Sequence, residues 1–205
     1  MLIGHIDYLN LLPFYQFLKK KGIKVKKSYP AQVNEWFEKG IIDAAFISSI
    51  KAKNKKCLSA GIAANKMVQS VLVCPGEGDD FESATSNILA KVLNIKGRVV
   101  IGDKAFRERG CVDLASEWYG RYKLPFVFAL FCVNRHTKEY QKLIKEFLSK
   151  KQKIPYSVLK KYAQKTGISY KEAKYYLDEV IYYKIGWREK KSLKKFWELS
   201  QKVYK

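Results

Sequence analysis

The sequence predicts an α/β protein built as two lobes around a ligand cleft. Strands and helices alternate over residues 1–50, and two apolar strands bracket a segment with its own α/β pattern. Hydrophobic residues make up 47% of the 205-residue chain, which is enough for a buried core. Alternation of this kind is typical of layered α/β folds with right-handed crossovers.

The alternation in residues 1–50 follows from apolar runs and from helix start and stop signals. Pro13 lies in the first turn of a helix, where its missing N–H group costs no hydrogen bond, and Gly22 is suited to end that helix. Residues 43–47 are mainly apolar, as expected for a strand buried in a parallel sheet. The predicted elements are strands at 2–6, 23–28 and 43–47, and helices at 10–22 and 30–39.

The bracketing strands are predicted at 69–74 and 125–133. Between them the apolar periodicity predicts helices at 85–93 and 112–122 and a strand at 98–102, and beyond Val133 it predicts helices only. We therefore expect one lobe from residues 1–73 and 132–205 and an inserted lobe from residues 74–131. Two lobes joined by two strands form a cleft with a hinge, which is a common ligand site.

The chain carries 40 basic and 19 acidic residues, a formal net charge of +21. Such an excess fits nucleic acid, an anionic membrane surface or acidic small molecules, and it also fits lysines on the solvated faces of helices. No stretch approaches the roughly 20 apolar residues that span a bilayer, and Met1 leads into a strand without a signal segment. We expect a cytoplasmic protein that does not enter membranes.

The four cysteines are Cys57, Cys74, Cys111 and Cys132. They are far apart and form no CxxC pair, and only two histidines accompany them, so we expect no metal site. Cysteines in apolar strands are usually small core residues. The sequence therefore predicts free thiols, which suit a reducing cytosol.

Polar residues follow several predicted strands, where α/β sheets face their ligand crevice. Tyr8 and Asn10 follow the first strand, and Asn10 can either meet a ligand or cap the next helix. Ser48 and Ser49 follow the third strand, with the same two interpretations. The bracketing strands contribute Ser70, Phe126 and Phe128 as further candidate ligand contacts.

The run Ser83-Ala84-Thr85-Ser86 precedes a helix of the inserted segment. Its hydroxyls and the free N–H groups of a helix start make a carboxylate or phosphate site, or an ordinary helix cap. Asp103 ends the strand at 98–102 as a cap, a turn residue or an acid in the cleft. Motifs for nucleotide cofactors, nucleophilic serines and zinc are absent, so we expect no cofactor.

Several runs occur together in one order between residues 3 and 200. They are GHIDYLNLLPF, GIIDAAFISSIKA, SAGIAANKMVQSVLV, SATSNILAKVL, VVIGDKAF and VDLASEWYGRYKLPFVFALFCV. In this order and character they resemble the chorismate dehydratases of the futalosine route to menaquinone. The resemblance implies the two-lobed fold of type II periplasmic binding proteins, used by an enzyme in the cytosol. The sequence departs from that family at Asp7, where serine is usual, and at Ala84, where arginine is common.

The resemblance implies elimination of water from chorismate to form 3-[(1-carboxyvinyl)oxy]benzoate, with no redox cofactor or metal. We expect Asn10 to orient the C4 hydroxyl or a carboxylate of the substrate, because an amide offers donors and an acceptor but takes no proton near neutral pH. The proton acceptor is left open between Asp7, His5, Asp103 and a carboxylate of the substrate itself.

Two other functions are compatible with the sequence. Residues 159–177 resemble a helix-turn-helix with Gly167 in the turn, Ser169 as a cap and Lys171 and Lys174 facing DNA. The two-lobed fold also permits a binding protein without catalysis, since fold does not determine function. We expect chorismate, rather than a specific nucleic acid, to be the partner. The sequence makes no prediction of oligomeric state.

Overall fold

The computed structural model describes residues 1–203 and contains two sheets flanked by helices. The strands are β1 (Leu2–His5), β2 (Lys24–Lys27), β3 (Ala44–Ser48), β4 (Cys57–Ala64), β5 (Val71–Cys74), β6 (Arg98–Ile101), β7 (Val112–Asp113), β8 (Phe126–Val133) and β9 (Ile181–Lys184). The helices are α1 (Leu12–Lys20), α2 (Pro30–Glu38), α3 (Ala84–Val92), α4 (Leu114–Tyr122), α5 (Thr137–Ser149), α6 (Tyr156–Thr166), α7 (Tyr170–Tyr175) and α8 (Trp187–Val203).

The larger sheet has six strands in the order β2-β1-β3-β8-β4-β9. As predicted, β1 pairs in parallel with β2 and β3, and α1 and α2 make the crossovers. The return strand β8 is antiparallel to both β3 and β4. Its apolar side chains, with Phe14 and Phe147 from the helices, form the main core.

The smaller sheet has the order β6-β5-β7 and is antiparallel. The helices α3 and α4 contribute Leu89 and Trp118 to the core below it. All of β5 pairs within this sheet, whereas all of β8 pairs within the larger one. The expected lobe boundaries at 73/74 and 131/132 therefore fall inside strands. The two sheets with their helices form a two-lobed α/β fold.

Two strands of the larger sheet were missed by the sequence analysis. β4 is rich in alanine and glycine, which are poor strand signals, and it joins the sheet because β8 and β9 pair along both of its edges. The prediction that the chain is only helical beyond Val133 was wrong at β9. There a π-helical turn, Tyr176–Val180, ends the helical stretch and Ile181 begins the strand.

The prediction of free cysteines was also wrong. Cys57 on β4 stands opposite Cys132 on β8 and forms a disulfide with it. Cys74 at the end of β5 forms a second disulfide with Cys111, next to β7. Strand pairing brings together cysteines that lie 75 and 37 residues apart in the chain. The cysteines therefore do not support the expectation of a reducing cytosol, which was based on free thiols.

The predicted helix-turn-helix is present, but it is built into the body of the protein. α6 ends at Gly167, whose φ of 81° is left-handed, and Ser169 and Glu172 form a capping box for α7. Arg107 donates hydrogen bonds to the carbonyl oxygens of Thr166 and Lys165, which anchors the turn on the neighbouring loop. The second helix and the turn that continues it bury Ala173, Tyr176 and Leu177 in the core, as expected for a helix that packs within the protein.

Exposed lysines account for much of the net charge, and several lie over aromatic rings or beside single carboxylates. Lys26 lies 4.4 Å from the ring centre of Trp36, and Lys21 pairs with Glu146 at 2.6 Å. These contacts are typical of solvated helix and strand faces, where an ion pair contributes about 0–1 kcal/mol. Within residues 1–203, none of the helices has the length and apolar character that a membrane crossing requires.

Candidate active site

A cleft lies between the two sheets. Among the described residues that line it, none carries a formal charge near neutral pH, although the chain as a whole carries +21. Its polar lining is Tyr8, Asn10, Ser48, Ser70, Ser83 and Ser86, and Phe46, Ile62, Val71, Ile101 and Phe128 are among its apolar lining.

Asn10 lies in a single 3₁₀ turn, Leu9–Leu11, between β1 and α1. The turn is held by its backbone: Leu9 N–H donates to the Asp103 carboxylate at 2.8 Å, and the Tyr183 hydroxyl donates to the Asn10 carbonyl oxygen at 2.6 Å. Neither the turn nor α1 has a side-chain cap, so the capping interpretation of Asn10 was wrong. The Asn10 side-chain oxygen is buried and has no hydrogen-bond partner within residues 1–203.

An unpaired buried oxygen is unfavourable, because it loses its hydrogen bonds to water without replacement. Here the oxygen belongs to a residue that lines the cleft. A donor on a bound ligand would satisfy it. The Asn10 turn therefore has the properties of a ligand contact.

Tyr8 connects the two sides of the cleft. Its hydroxyl donates to Glu82 at 2.7 Å, and burial, together with the Glu82 carboxylate, raises the pKa of Tyr8 well above its usual value. Its ring lies against Gly102, where a Cβ atom would come within 2.6 Å of the ring and where φ is 68°. Only glycine fits at this position while Tyr8 keeps its place. Glu82 also pairs with Lys104, which bridges it to Asp80.

The serines of the cleft are already hydrogen-bonded within the protein. Ser83 caps α3 by accepting from the Ser86 N–H, and the Ser83 hydroxyl donates to the Ser86 hydroxyl at 2.8 Å. Ser48 exchanges two hydrogen bonds with the side chain of Asn34. The Ser70 hydroxyl bonds to the buried Tyr176 hydroxyl at 2.8 Å. The capping and ligand-binding interpretations of Ser83 are thus compatible.

Three expected ligand contacts do not line the cleft. The Thr85 hydroxyl accepts from the Ile50 N–H at 3.2 Å, across the two sides of the cleft. The Ser49 hydroxyl donates to the Val127 carbonyl oxygen at 2.5 Å, and the residue is fully buried. Phe126 packs against Trp118 and Phe196 in the core. These residues support the walls from behind.

The three ionisable base candidates also lie outside the cleft lining. His5 is buried against the ring of Tyr15, and burial, with Lys27 nearby, lowers its pKa to about 4. Burial would raise the pKa of Asp7, but the Tyr162 hydroxyl, Lys27 and Lys165 outweigh it, so this pKa is below its usual value. Neither group reaches the cleft.

Asp103 is the candidate nearest to the site. One carboxylate oxygen accepts from Leu9 N–H, while the other is buried without a hydrogen-bond partner in the described chain. Burial raises the pKa of Asp103 to about 6, against the opposing effects of the Leu9 N–H and Lys165. Asp103 therefore supports the Asn10 turn, with Gly102 rather than Asp103 facing the cleft.

Within residues 1–203, one cluster of side chains brings three possible metal ligands together. The ligand atoms of Cys74, Glu108 and Cys111 lie within 4.8 Å of one another. The two sulfur atoms form a disulfide, and Glu108 is paired with Arg98 at 3.1 Å. Metals bind thiolates rather than disulfides, so these residues in this state do not make a metal site.

The sequence analysis missed four residues around the cleft: Asn34, Glu82, Tyr176 and Tyr183. Asn34 lies inside α2, and Tyr176 and Tyr183 lie far along the chain in a region that we interpreted as helical packing. No local pattern marks them, because each reaches the site only through the tertiary fold. Glu82 was adjacent to the serine run and was the most accessible of the four to sequence reasoning.

The family model described as menaquinone biosynthesis matches residues 1–96 and 78–202. A curated protein from Campylobacter jejuni, named chorismate dehydratase, is 43% identical over 213 residues, which cover 96% of each chain.

The chain belongs to the menaquinone biosynthesis family.

Solved structures support the same fold. A protein from Archaeoglobus fulgidus superposes on this family member with a TM-score of 0.70 at 14% identity, covering 98% of this chain and 96% of that one. The alkanesulfonate-binding protein SsuA from Xanthomonas axonopodis gives a TM-score of 0.61 at 11% identity, covering 100% and 92%. The family member therefore has the fold of the periplasmic binding proteins, as the resemblance implied.

Proposed function

We propose that this protein is a chorismate dehydratase, a hydro-lyase that forms 3-[(1-carboxyvinyl)oxy]benzoate and water in menaquinone biosynthesis by the futalosine route. The proposal is supported by the 43% identical relative of that name. The observation that carries it is the unpaired side-chain oxygen of Asn10 in a cleft without charged lining. We further propose that the enzyme acts in the cytoplasm, as the resemblance to a biosynthetic family implies.

The reaction is an elimination across two neighbouring ring carbons. The C3 proton leaves, the electrons of the C3–H bond form the ring C3–C4 double bond, and the C4 hydroxyl departs and combines with that proton as water. Formation of the aromatic ring drives the reaction. The protein must hold two carboxylates, orient the hydroxyl and allow one proton to move.

Asn10 is proposed to contact the C4 hydroxyl rather than a carboxylate. Its side-chain oxygen is a hydrogen-bond acceptor, and a hydroxyl can donate to it, whereas a carboxylate would be repelled. This contact holds the hydroxyl in one orientation relative to the C3 proton. Such positioning accelerates a reaction without any proton transfer to the amide.

The proton acceptor is proposed to be a carboxylate of the substrate. Among the described cleft residues, Tyr8 is the only titratable side chain, and its pKa is raised well above the usual value, so it is not a base near neutral pH. His5, Asp7 and Asp103 lie outside the lining. A carboxylate of the anionic substrate can therefore act as the base in a cleft whose lining has none.

The substrate carboxylates are proposed to bind neutral donors. Ser83 and Ser86 stand at the start of α3, and the first-turn N–H groups of a helix have no acceptor within it. The partial positive charge of a helix start contributes about 0.3–1 kcal/mol, and up to about 2 kcal/mol when partly buried. These donors take on greater importance because Ala84 stands where the resembled family often has arginine.

An assay of chorismate conversion tests the proposed function. Purified protein is incubated with chorismate, and loss of chorismate and formation of the aromatic enol ether are followed by absorbance and mass. We expect a product 18 mass units lighter than chorismate, the mass of one water. The Asn10→Ala variant serves as the matched control and should form product far more slowly. Stoichiometric binding of chorismate without conversion would instead support a binding protein.

A further inference from the structure

Two cysteines and a glutamate lie together where β5 ends, at the opposite end of this strand from the cleft residue Ser70. The sulfur atoms of Cys74 and Cys111 and a carboxylate oxygen of Glu108 all lie within 4.8 Å of one another. Cys74 is 3% exposed, whereas Cys111 and Glu108 are partly exposed. Small reductants and ions in solution can therefore reach the cluster from the side of Cys111 and Glu108.

Strand pairing in the smaller sheet places these side chains. β5 is the central strand, and its last residue, Cys74, pairs with Arg98 of β6. β7 pairs along the other edge of β5 and begins directly after Cys111. The Arg98 guanidinium donates to both carboxylate oxygens of Glu108 at 3.1 Å. The three strands therefore bring the two sulfur atoms together, and Arg98 holds the carboxylate beside them.

The disulfide between Cys74 and Cys111 is one of two states of this pair. Two thiols of a reducing agent convert it into two cysteine thiols by thiol–disulfide exchange, and they become joined as a disulfide themselves. The two cysteine thiols can then release their protons and bind a thiophilic cation as thiolates. Two thiolates and one carboxylate are ligands of zinc, with water in the fourth position of a tetrahedron.

The spacing of the cluster suits such a site. Zn–S distances of about 2.3 Å and Zn–O distances of about 2.0–2.2 Å place the ligand atoms of a tetrahedral site roughly 3.6–3.8 Å apart. Once the S–S bond is broken, rotation of the two cysteine side chains can separate the sulfur atoms to this distance. The carboxylate oxygen of Glu108 already lies within 4.8 Å of both sulfur atoms.

The charges of the cluster also suit a divalent cation. Two thiolates and the Glu108 carboxylate carry three negative charges, Arg98 carries one positive charge, and a zinc ion supplies the remaining two. A carboxylate has about four lone-pair sites, so Glu108 can accept from Arg98 and bind a metal at the same time. Metal ligands are commonly held by an outer hydrogen-bond partner of this kind.

The other cysteine pair offers a comparison within the same chain. Cys57 and Cys132 also form a disulfide. Within residues 1–203, no histidine, aspartate or glutamate completes a cluster of three metal ligands around them. Reduction of this pair gives two thiols without a third ligand, so its affinity for zinc should be far lower.

We propose that Cys74, Cys111 and Glu108 form a zinc site when their disulfide is reduced. The bound ion then attaches the loop before β7 to the end of β5, as the disulfide does in the oxidised protein. The site lies at the far end of β5 from the cleft and has no part in the proposed elimination of water. Its role is to stabilise the smaller sheet in the reduced protein.

Metal titration of the reduced protein tests the site. Purified protein is treated with dithiothreitol, separated from it by gel filtration without oxygen, and titrated with Co²⁺ and then with Zn²⁺. We expect one Co²⁺ per chain, with the near-ultraviolet absorption of a thiolate–cobalt bond, and its displacement by one equivalent of Zn²⁺. Protein left oxidised should show no such absorption. Its absence from the reduced protein, or equal absorption in the oxidised protein, would overturn the proposal.

Variants of the cluster assign the ligands. Cys111→Ser should abolish the cobalt absorption, because a serine hydroxyl stays protonated. Glu108→Gln and Arg98→Gln should each weaken zinc binding at least about tenfold, measured by competition with a chromophoric chelator. The matched control is Cys57→Ser, which removes the other disulfide and should keep zinc affinity within about threefold. Parent-like binding in Cys111→Ser or Glu108→Gln, or an equal loss in Cys57→Ser, would overturn the proposal.

Melting temperature tests the stabilising role. Zinc should raise the melting temperature of the reduced parent by a few degrees, because a ligand that binds the folded state stabilises it, and should leave that of Cys111→Ser unchanged. If Cys111→Ser does not fold, Glu108→Gln replaces it, with a smaller rise expected than in the parent. An unchanged melting temperature of the reduced parent at saturating zinc would overturn the proposal. Chorismate enters none of these measurements, so their outcome is independent of the proposed function.

Discussion

The Asn10 turn and the start of α3 face the same cleft with polar groups in opposite states. The Asn10 side-chain oxygen is unpaired within residues 1–203, and the Tyr183 hydroxyl donates to the Asn10 backbone oxygen. The Ser83 hydroxyl donates to the Ser86 hydroxyl and accepts from the Ser86 N–H, which caps α3. The Asn10 side therefore presents an acceptor without a partner, while the hydroxyls on the α3 side already have hydrogen bonds within the protein.

This difference suggests a division of labour. A preorganised group whose partner arrives with the substrate acts strongly on the reaction, because it needs no rearrangement during turnover. Hydroxyls that exchange existing hydrogen bonds for new ones gain less, since the net value of a hydrogen bond is about 0.5–1.5 kcal/mol. We expect the Asn10 side to control turnover and the α3 side to control affinity.

Replacement of Asn10 is expected to have the largest effect. Asn10→Asp keeps the shape but places a negative charge beside an anionic substrate, and Asn10→Ala removes the amide. We expect turnover to fall at least about 10²-fold in both variants, the scale for loss of one preorganised group. Melting temperature should change little, because the Asn10 side chain does not cap a helix.

Turnover and melting temperature are measured on the same preparations of both variants. Near-normal turnover in Asn10→Asp would remove the distinction between the two sides of the cleft.

Asp103→Asn is expected to stabilise the protein at pH 7, because the buried Asp103 carboxylate that holds the Asn10 turn destabilises the fold when it is charged. Burial raises the pKa of Asp103 to about 6, so the folded protein holds this proton more tightly than the unfolded chain. The contribution of Asp103 to stability is therefore complete below about pH 3.8 and is lost as the pH rises through about 6. Asparagine removes the penalty at pH 7 and keeps an acceptor for Leu9 N–H.

Unfolding of Asp103→Asn and the parent is followed in denaturant at pH 7 and pH 4. We expect a gain of at most roughly 3 kcal/mol at pH 7, from 1.36 kcal/mol per pKa unit, and little gain at pH 4. An equal gain at both pH values would contradict this account. A turnover loss as large as that of Asn10→Asp would instead identify Asp103 as the base.

The start of α3 offers a smaller effect with a built-in control. Ser86→Ala should raise KM for chorismate about fivefold with kcat within about twofold, since one hydrogen bond of about 1 kcal/mol is lost in binding. Thr85→Val alters the next residue in the same helical turn, whose hydroxyl bonds to Ile50 N–H outside the cleft lining. We expect a weaker effect of Thr85→Val on KM. An equal rise in KM in Ser86→Ala and Thr85→Val would indicate that Thr85 binds a substrate carboxylate, as the sequence predicts.

Closure of the two lobes on the substrate should bring the Asn10 side and the α3 side of the cleft together. We expect it to give the smallest of these effects. Tyr8 and Glu82 already meet across the cleft, as do Ile50 and Thr85. We expect small-angle scattering to show a slight decrease in the radius of gyration at saturating chorismate, and none with sulfate. An unchanged radius with chorismate would contradict closure.

Much of the fold follows from local patterns in the sequence. The β-α-β-α-β start, the bracketing strands and the helix at Thr85 were predicted, and the two-lobed fold is confirmed by the related structures. β4 and β9 were missed, because their pairing partners, rather than their own composition, make them strands. The disulfides were missed for the same reason, since strand pairing alone brings Cys57 to Cys132.

The sequence by itself determined the layered α/β architecture, the family and the polar residues that follow its strands, because each is encoded by neighbouring residues. Seven of the expected site residues line one cleft: Tyr8, Asn10, Ser48, Ser70, Ser83, Ser86 and Phe128. Only the tertiary structure decided that His5, Asp7 and Asp103 stand outside it. It alone also brings Tyr183 to Asn10, 173 residues away, and Tyr176 to Ser70, 106 residues away. The orientation and partners of a side chain depend on every element packed around it, and no local pattern contains that information.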